Sequence, residues 1–366
     1  MEFGYFTLSD NRYPDNPRTP EAFVREIYAQ ALHAEAIGLH SAWIGEHHFN
    51  LLGVNACPHM LLAQLAGATK RIRLAPAVVL LPVHHPLQVA EEWATLDLLS
   101  NGRVDFAAGR GYDRQEYGPF QADFARSAEM FEEGLDILWR AWTEPGKWSH
   151  EGRFWRFENI EVRPRPQQNP LRPYVACFSR PSMELAARRD WNIISAPFAA
   201  AMVYGSLAEA VGAFHAEAAR HGRPPRRAMC SYFIHIADTP AEEAYGREAL
   251  IRYFHDALIA AFPADAKTVP PTYRYFLEIV DILKGMKADS LTAKSILTGS
   301  PQKIVDELKA VEASGISEVI LYFNYGLKSH SMVCDQMSRF MAEIAPAFEG
   351  AHSRAGSSEL SALSPQ

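Results

Sequence analysis

Short apolar segments that read as strands alternate with segments of helical periodicity along nearly the whole chain, and this rhythm constrains the fold more than any other feature. Residues 3–8 read as a first strand. Thr19-Pro20-Glu21 then supplies an N-cap, a proline at the first helical position and an acidic first turn. Phe23, Ile27, Ala31 and Ala34 fall on one helical stripe that Gly38 ends. Further strands are expected at 41–45, 72–80, 103–108, 174–178, 192–195, 229–237 and 318–323. The nearly unbroken apolar run at 72–80 suits a parallel strand buried on both faces. Helices are expected at 60–68, 87–99, 128–142, 183–189, 206–221, 241–261, from Ser300-Pro301 onward, and at 334–348.

The count approaches eight strand–helix pairs, which places the chain in the α/β class as a (β/α)8 TIM barrel. An open doubly wound sheet satisfies the same count. No G-x-G-x-x-G follows the first strand, however, and this weighs against a dinucleotide fold. A length of 366 residues suits one barrel. We read residues 1–350 as a single barrel domain with two insertions. The first, at about 148–165, gathers Trp148, Phe154, Trp155 and Phe157 around Gly152 and reads as a hairpin. The second, 263–295, is too long for a barrel loop, carries its own helical patch at 273–283, and reads as a mobile lid. The Ser/Ala-rich tail at 351–366 is expected to be disordered.

Composition excludes several classes. With 36 basic and 43 acidic residues the chain is mildly acidic and has no electrostatic footprint for nucleic acid. The basic cluster at 223–227 is short and reads as a solvated loop. Cys57, Cys177, Cys230 and Cys334 form no C-x-x-C pair, which argues against a zinc site or redox dithiol. No run of about 18 apolar residues is present, and no charged leader precedes the first strand. No membrane partner is therefore expected, and the cytoplasm is the expected compartment.

Catalytic groups of such barrels gather at the C-terminal ends of the strands. Here those ends offer Thr7 and Ser9, then Glu46-His47-His48-Phe49, Pro82-Val83-His84-His85, Gly109-Arg110-Gly111-Tyr112, and Phe178-Ser179-Arg180-Pro181-Ser182. Neighbouring residues on extended chain point to opposite faces. Neither His47 with His48 nor His84 with His85 is thus expected to share an ion, and no metal is expected. Hydrogen bonds to carboxylates are the plainer use for these imidazoles. Ser179 and Ser182 flank a proline at a strand-to-helix turn, where hydroxyls and the first helical N–H groups suit a phosphate. Arg110 suits a clamp on the same phosphate. The alternative is that Ser182 caps its own helix and Arg110 pairs with a carboxylate. A serine hydrolase is disfavoured, since no G-x-S-x-G elbow is present.

Taken in order, these motifs resemble the bacterial luciferase family of flavin-dependent monooxygenases over residues 1–348. The carriers are Phe3-Gly4-Tyr5-Phe6, Ala42-Trp43-Ile44-Gly45-Glu46-His47-His48-Phe49, Gly67-Ala68-Thr69-Lys70, Leu80-Leu81-Pro82 with His85-Pro86, Ser100-Asn101-Gly102-Arg103 and Thr298-Gly299-Ser300-Pro301. The resemblance implies reduced FMN (FMNH2) from a separate flavin reductase, O2 as co-substrate, and a small organic substrate. It also implies a homodimer paired through the helix that starts near His59. By position, Arg110, Ser179 and Ser182 would hold the FMN phosphate. Ala77–Val78 would be the family's non-prolyl cis peptide, with Gly109, Ala176 and Phe178 also at the cofactor. His47 would be the catalytic histidine, with His48 packing away. Luciferase itself has a reactive cysteine where this chain has Gly109 and a carboxylate where it has Phe178, which argues against light emission. Phe6, Tyr112 and Tyr273 suggest an apolar pocket. Two other readings stand beside this one: hydride transfer with a deazaflavin on the same barrel, and a flavin-binding protein without turnover.

Overall fold

The computed structural model describes residues 1–49, 52–263 and 265–348; the expected tail at 351–366 lies outside the described residues. Among the described residues, nine parallel strands form the central sheet: β1 (Glu2–Thr7), β2 (Ser41–Ile44), β3 (Arg73–Pro76, resuming as Val79–Leu80), β4 (Asp105–Gly109), β5 (Arg172–Ala176), β6 (Asn192–Ser195), β7 (Ala228–Ile236), β8 (Ile296–Gly299) and β9 (Glu318–Tyr322). β1 sits between β2 and β9, with Gly4 facing Ser41 on one side and Ile320 on the other. β9, β7, β6, β5 and β4 follow in turn. The interrupted β3 completes the ring. Its first half pairs with β2 and its second with β4, and a bridge joins Leu74 to Val104. The TIM barrel expected from the alternation is the observed fold.

The helices are α1 (Pro20–Ile37), α2 (Pro58–Ala68), α3 (Pro86–Leu99), α4 (Ser127–Thr143), α5 (Arg180–Arg188), α6 (Pro197–Tyr204), α7 (Leu207–Arg220), α8 (Pro240–Arg252), α9 (Tyr275–Gly285), α10 (Pro301–Ala313) and α11 (His330–Glu343). In α1 the local signals act as read. The Thr19 hydroxyl accepts from the Ala22 N–H at 3.2 Å, Gly38 closes the helix at φ 90°, and Phe23, Ile27, Ala31 and Ala34 are buried.

Three elements depart from expectation. No element is expected at 296–299, yet this segment forms β8, because the nine-residue β7 has a second half, Phe233–Ile236, with backbone groups to pair. α6 was not anticipated; its run of small residues after Pro197 has little periodicity. The helix expected over 241–261 is α-helical only to Arg252. It widens into a π-turn at Tyr253–Leu258 and ends as a tighter turn at Ile259–Ala261.

Both insertions are built parts of the surface. In the first, Trp148–Glu151 pairs antiparallel with Arg156–Ile160, as the aromatic cluster around Gly152 suggests. The Glu133 carboxylate of α4 anchors it by accepting from the backbone N–H groups of Arg153, Phe154 and Trp155. In the second, α9 turns Phe276, Ile279, Val280 and Leu283 inward, so this segment packs on the barrel rim as a wall. Among the described residues no single helix is long and apolar enough to cross a membrane. α6 and α7 meet that length and composition together, but with a bend of 72° between them.

Apolar packing lies in two shells. Between the ring and its helices, Phe106 of β4 is enclosed edge-on by Trp93 of α3 and Trp142 of α4, at centroid distances of 5.5 and 5.0 Å. Inside the ring, Trp43 meets Tyr174 edge-on at 5.5 Å. The N-terminal end is closed by partly buried ion pairs: Arg73 with Asp105 at 2.5 Å, and Arg227 with Glu2 and with the buried Glu318. Phe106→Ala should therefore cost about 3–5 kcal/mol of stability, since two flanking indoles cannot collapse into the space; denaturant unfolding reads this directly.

Candidate functional site

A cavity of about 510 Å³ opens at the C-terminal ends of the strands. It is lined by every site residue expected from the sequence: His47, Ala77, Val78, Gly109, Arg110, Ala176, Phe178, Ser179 and Ser182. Their convergence follows from the parallel ring, which brings the ends of β2, β3, β4 and β5 to one mouth. The Ala77–Val78 peptide bond is cis. A Cβ on Gly109 would stand 2.6 Å from Val78 Cγ2, so this position has no room for the cysteine found in luciferase unless Val78 moves. Phe6 and Tyr112 line the same cavity, as do Tyr273, Tyr275, Phe276 and Leu283 from the second insertion.

His47 and His48 leave the chain in different directions. His47 lines the cavity, and its Nδ1 lies 3.0 Å from Glu116 Oε1. A carboxylate only accepts, so Nδ1 carries a proton, and in the neutral ring the lone pair is left on Nε2. The same Glu116 oxygen accepts from the backbone N–H of His48 at 2.9 Å. Glu116 is only 1% exposed and escaped sequence reasoning. It sits in a short turn, Arg114–Glu116, 69 positions from His47, and no spacing rule links the two. The available signal was the absence of a carboxylate partner for the cavity histidine on its own strand.

His48 turns instead to Glu46. His48 Nε2 and His84 Nε2 both donate to Glu46 Oε1, at 2.8 and 2.5 Å, while the Leu80 N–H reaches Oε2 at 3.3 Å. Burial pushes the Glu46 carboxyl up, but the hydrogen bonds and charges of the two histidines outweigh it and hold the pKa at about 2. Burial lowers His84, but the hydrogen bond it donates to Glu46 and the charge of that carboxylate more than offset this, leaving its pKa raised. The alternation argument thus holds within each histidine pair but is incomplete. It left out the meeting of His48 and His84 across two strands.

At the opposite end, Ser179 is the N-cap of α5. Ser182, three residues on, accepts from the Ser179 N–H at 3.2 Å and donates to its carbonyl at 2.8 Å. Ser179 thus holds the N-cap position without a side-chain cap bond of its own, while the Ser182 hydroxyl, inside the first turn, closes that turn onto the Ser179 backbone. Arg110 has no carboxylate partner among the described residues. Its guanidinium lies over the Tyr273 ring at 4.6 Å, and the Tyr273 hydroxyl donates to the Gly111 carbonyl at 2.8 Å. The alternative of an Arg110–carboxylate pair is thus not what forms. The cavity has a cationic, donor-rich end at Arg110 and α5, a histidine on its wall, and an aromatic remainder.

Beside the histidine, burial and the nearby Glu116 charge raise the Asp113 carboxyl to about 6. A carboxyl whose folded pKa exceeds its unfolded value of about 3.9 binds its proton more tightly when folded. Its contribution favours the native state at low pH and is lost as pH rises from about 4 through 6. Asp113→Asn should therefore flatten the fall in melting temperature over that window and leave the variant the more stable protein at pH 7. Thermal melts of both proteins from pH 4 to 8 measure this; a parallel pair of curves would contradict it.

Comparison with known proteins fits this arrangement. The family model described as luciferase-like monooxygenase matches residues 1–318. A flavin-dependent trigonelline monooxygenase, oxygenase component, from Acinetobacter baylyi is 26% identical over 322 residues, covering 86% of this chain and 87% of that protein. The match to an alkanal monooxygenase alpha chain from a Kryptophanaron alfredi symbiont is 30% identical but spans about half of each protein, 53% of this chain and 54% of the relative. Among solved structures, the oxygenating constituent of 3,6-diketocamphane monooxygenase from Pseudomonas putida, in complex with FMN, superposes with a TM-score of 0.74 at 21% identity, over 94% of this chain and 98% of that one. An F420-dependent secondary alcohol dehydrogenase superposes with a TM-score of 0.72 at 17% identity, over 95% and 99%. The last two likenesses concern the fold. The family match extends through the strands that carry the cavity's histidine, arginine and serines, and on that ground the chain belongs to the luciferase-like monooxygenases.

Proposed function

We propose that this protein is the oxygenase of a two-component system, taking reduced FMN from a separate reductase and using O2 to oxidise a small, largely apolar organic molecule. The observation that carries the reading is the pairing, in one cavity, of a carboxylate-free guanidinium at Arg110 with a histidine oriented by Glu116. A buried-facing arginine without a carboxylate invites an anion. The N-terminus of α5 and the Ser179 hydroxyl lie at the same end and offer further donors to a phosphate, and the Ser182 hydroxyl joins them once it turns from the Ser179 carbonyl to which it now donates. Ala77, Val78, Gly109, Ala176 and Phe178 give a close, apolar floor for a flat ring system. Bound reduced flavin would supply the electrons that activate O2.

The rest of the chemistry falls to the chain. His47 Nε2, free to accept and return a proton, faces the cavity, while Glu116 holds the ring and its tautomer. The aromatic wall from the π-turn and α9 excludes water from the reacting region. The family names of the relatives support a flavin, and an oxygenase component implies a partner that reduces it. Met60, a large apolar side chain exposed on α2, supports a homodimer through that helix. We assign the protein to the cytoplasm.

Arg110→Ala should weaken binding of FMNH2 by about 1.5–3 kcal/mol, the range for a hydrogen bond to a charged group, while riboflavin binds both proteins equally. Loss of riboflavin binding as well would give Arg110 a structural role. His47→Ala should retain flavin affinity and melting temperature, with product formation falling about 10²–10⁴-fold and hydrogen peroxide appearing instead. Oxygen uptake with photoreduced FMN and a panel of apolar substrates separates the alternatives. Turnover with a deazaflavin and no oxygen demand would indicate hydride transfer, and binding without turnover a flavin carrier.

A further inference from the structure

Glu46, which reaches the cavity lining, forms with His48 and His84 a second cluster that the chemistry above does not use. Glu46 and His48 are two residues apart on extended chain past β2, which turns both side chains to one side. His84 follows the short turn Leu81–Val83 after β3. One carboxylate oxygen and two imidazole nitrogens thus lie within 4.8 Å of one another. Glu46 and His48 are buried, at 3% and 7% exposure, whereas the His84 side chain is 27% exposed and leaves a path from solvent. The Glu92 carboxylate adds negative field at His84. The Phe120 ring packs against His48 at 4.9 Å and His84 at 6.2 Å, giving the donors an apolar outer wall.

We propose that Glu46, His48 and His84 bind one divalent ion of the zinc type, through two imidazole Nε2 atoms and one carboxylate, with an open fourth position. The donor set is that of a three-ligand zinc centre, and nitrogen-rich sites of this kind favour zinc, cobalt or nickel over magnesium or calcium. Binding exchanges the two N–H···O contacts for metal bonds. Each imidazole then presents its Nε2 lone pair, with its proton relocated to Nδ1 or released to solvent. Bonds of about 2.0–2.1 Å at tetrahedral angles need the donors roughly 3.3 Å apart, so the present 2.5 and 2.8 Å contacts must open by less than an ångström. His84, at the partly exposed edge, can supply that movement. His47 takes no part, because Glu116 draws it to the cavity side. The ion would tie the end of β2 to the end of β3 and hold the loop that carries His47.

The test is titration of the full-length, chelator-treated protein with Co²⁺ and, separately, Zn²⁺, with no flavin present. The expected result is one equivalent of Co²⁺ bound, with the visible d–d bands of a four- or five-coordinate nitrogen and oxygen site, and a melting temperature raised by Zn²⁺ and returned by chelator. His84→Ala and Glu46→Gln should each lower affinity by at least about 10–100-fold, while His85→Ala, the exposed neighbour, leaves it unchanged. His84→Asn replaces His84→Ala if circular dichroism shows the latter to be unfolded. Absence of saturable binding below about 1 mM, or binding that survives the His84 and Glu46 substitutions, would overturn the proposal. Neither result bears on flavin binding, which Arg110→Ala tests independently.

Discussion

Closure of a parallel ring is the constraint on which the rest of this structure depends. Parallel strands need a crossover between every pair, and the crossovers run with one hand, so every strand ends on the same rim. The lower end is sealed by the Arg73–Asp105 and Arg227–Glu318 pairs and filled by Trp43 and Tyr174. A cavity can therefore form only above the packed interior. The polar residues of the chain that matter chemically lie in the few positions just past each strand, and the fold brings them to one mouth without requiring them to be near in sequence.

The sharpest division at that mouth is made by two adjacent histidines. Their opposite directions are a property of extended backbone. What differs is the carboxylate each one meets. Glu116 takes His47 Nδ1 and the His48 N–H together, so one buried oxygen fixes both the tautomer of the first ring and the backbone path toward the second. Glu46 gathers His48 and His84 on the far side. Two carboxylates on opposite sides of a dipeptide create two separate polar networks in contact with the same loop. Each carboxylate offsets part of the cost of burying the imidazoles it accepts from.

The cavity's remaining character comes from irregular backbone. The π-turn at Tyr253–Leu258 widens the end of α8 where Tyr253, Phe254 and Leu258 face inward, and α9 adds Phe276 and Leu283. These walls are aromatic and apolar. Among the described residues, the acidic and basic side chains of the lining are Glu46, His47, Arg110 and Glu132. A ligand with an anionic end and a flat apolar body is thus oriented by the protein before any specific contact to its reacting atoms is considered. The missing Cβ at Gly109 serves the same end, because Val78 occupies the space a side chain would need.

Much of this was legible in the sequence. Burial of apolar runs sets strand and helix period locally, so the eight ring strands, α1 with its Thr19 cap and Gly38 stop, and the hairpin around Gly152 could be read from composition and spacing alone. The strand-end rule then pointed to His47, Arg110, Ser179 and Ser182. Their roles come from the family resemblance rather than from geometry. Four features needed the tertiary structure. β8 is a strand because β7 outlasts β9. Glu116 reaches His47 across 69 positions. Among the described residues the fold places no carboxylate partner on Arg110 and stacks it on Tyr273 instead. His84 meets His48 on Glu46 because β2 and β3 are neighbours in the ring. The sequence by itself determined periodicity, capping and which side chains leave one strand together, since these are set by backbone geometry over a few residues. The pairing of groups from different strands depends on register and on which strands adjoin, and only the closed ring decided that.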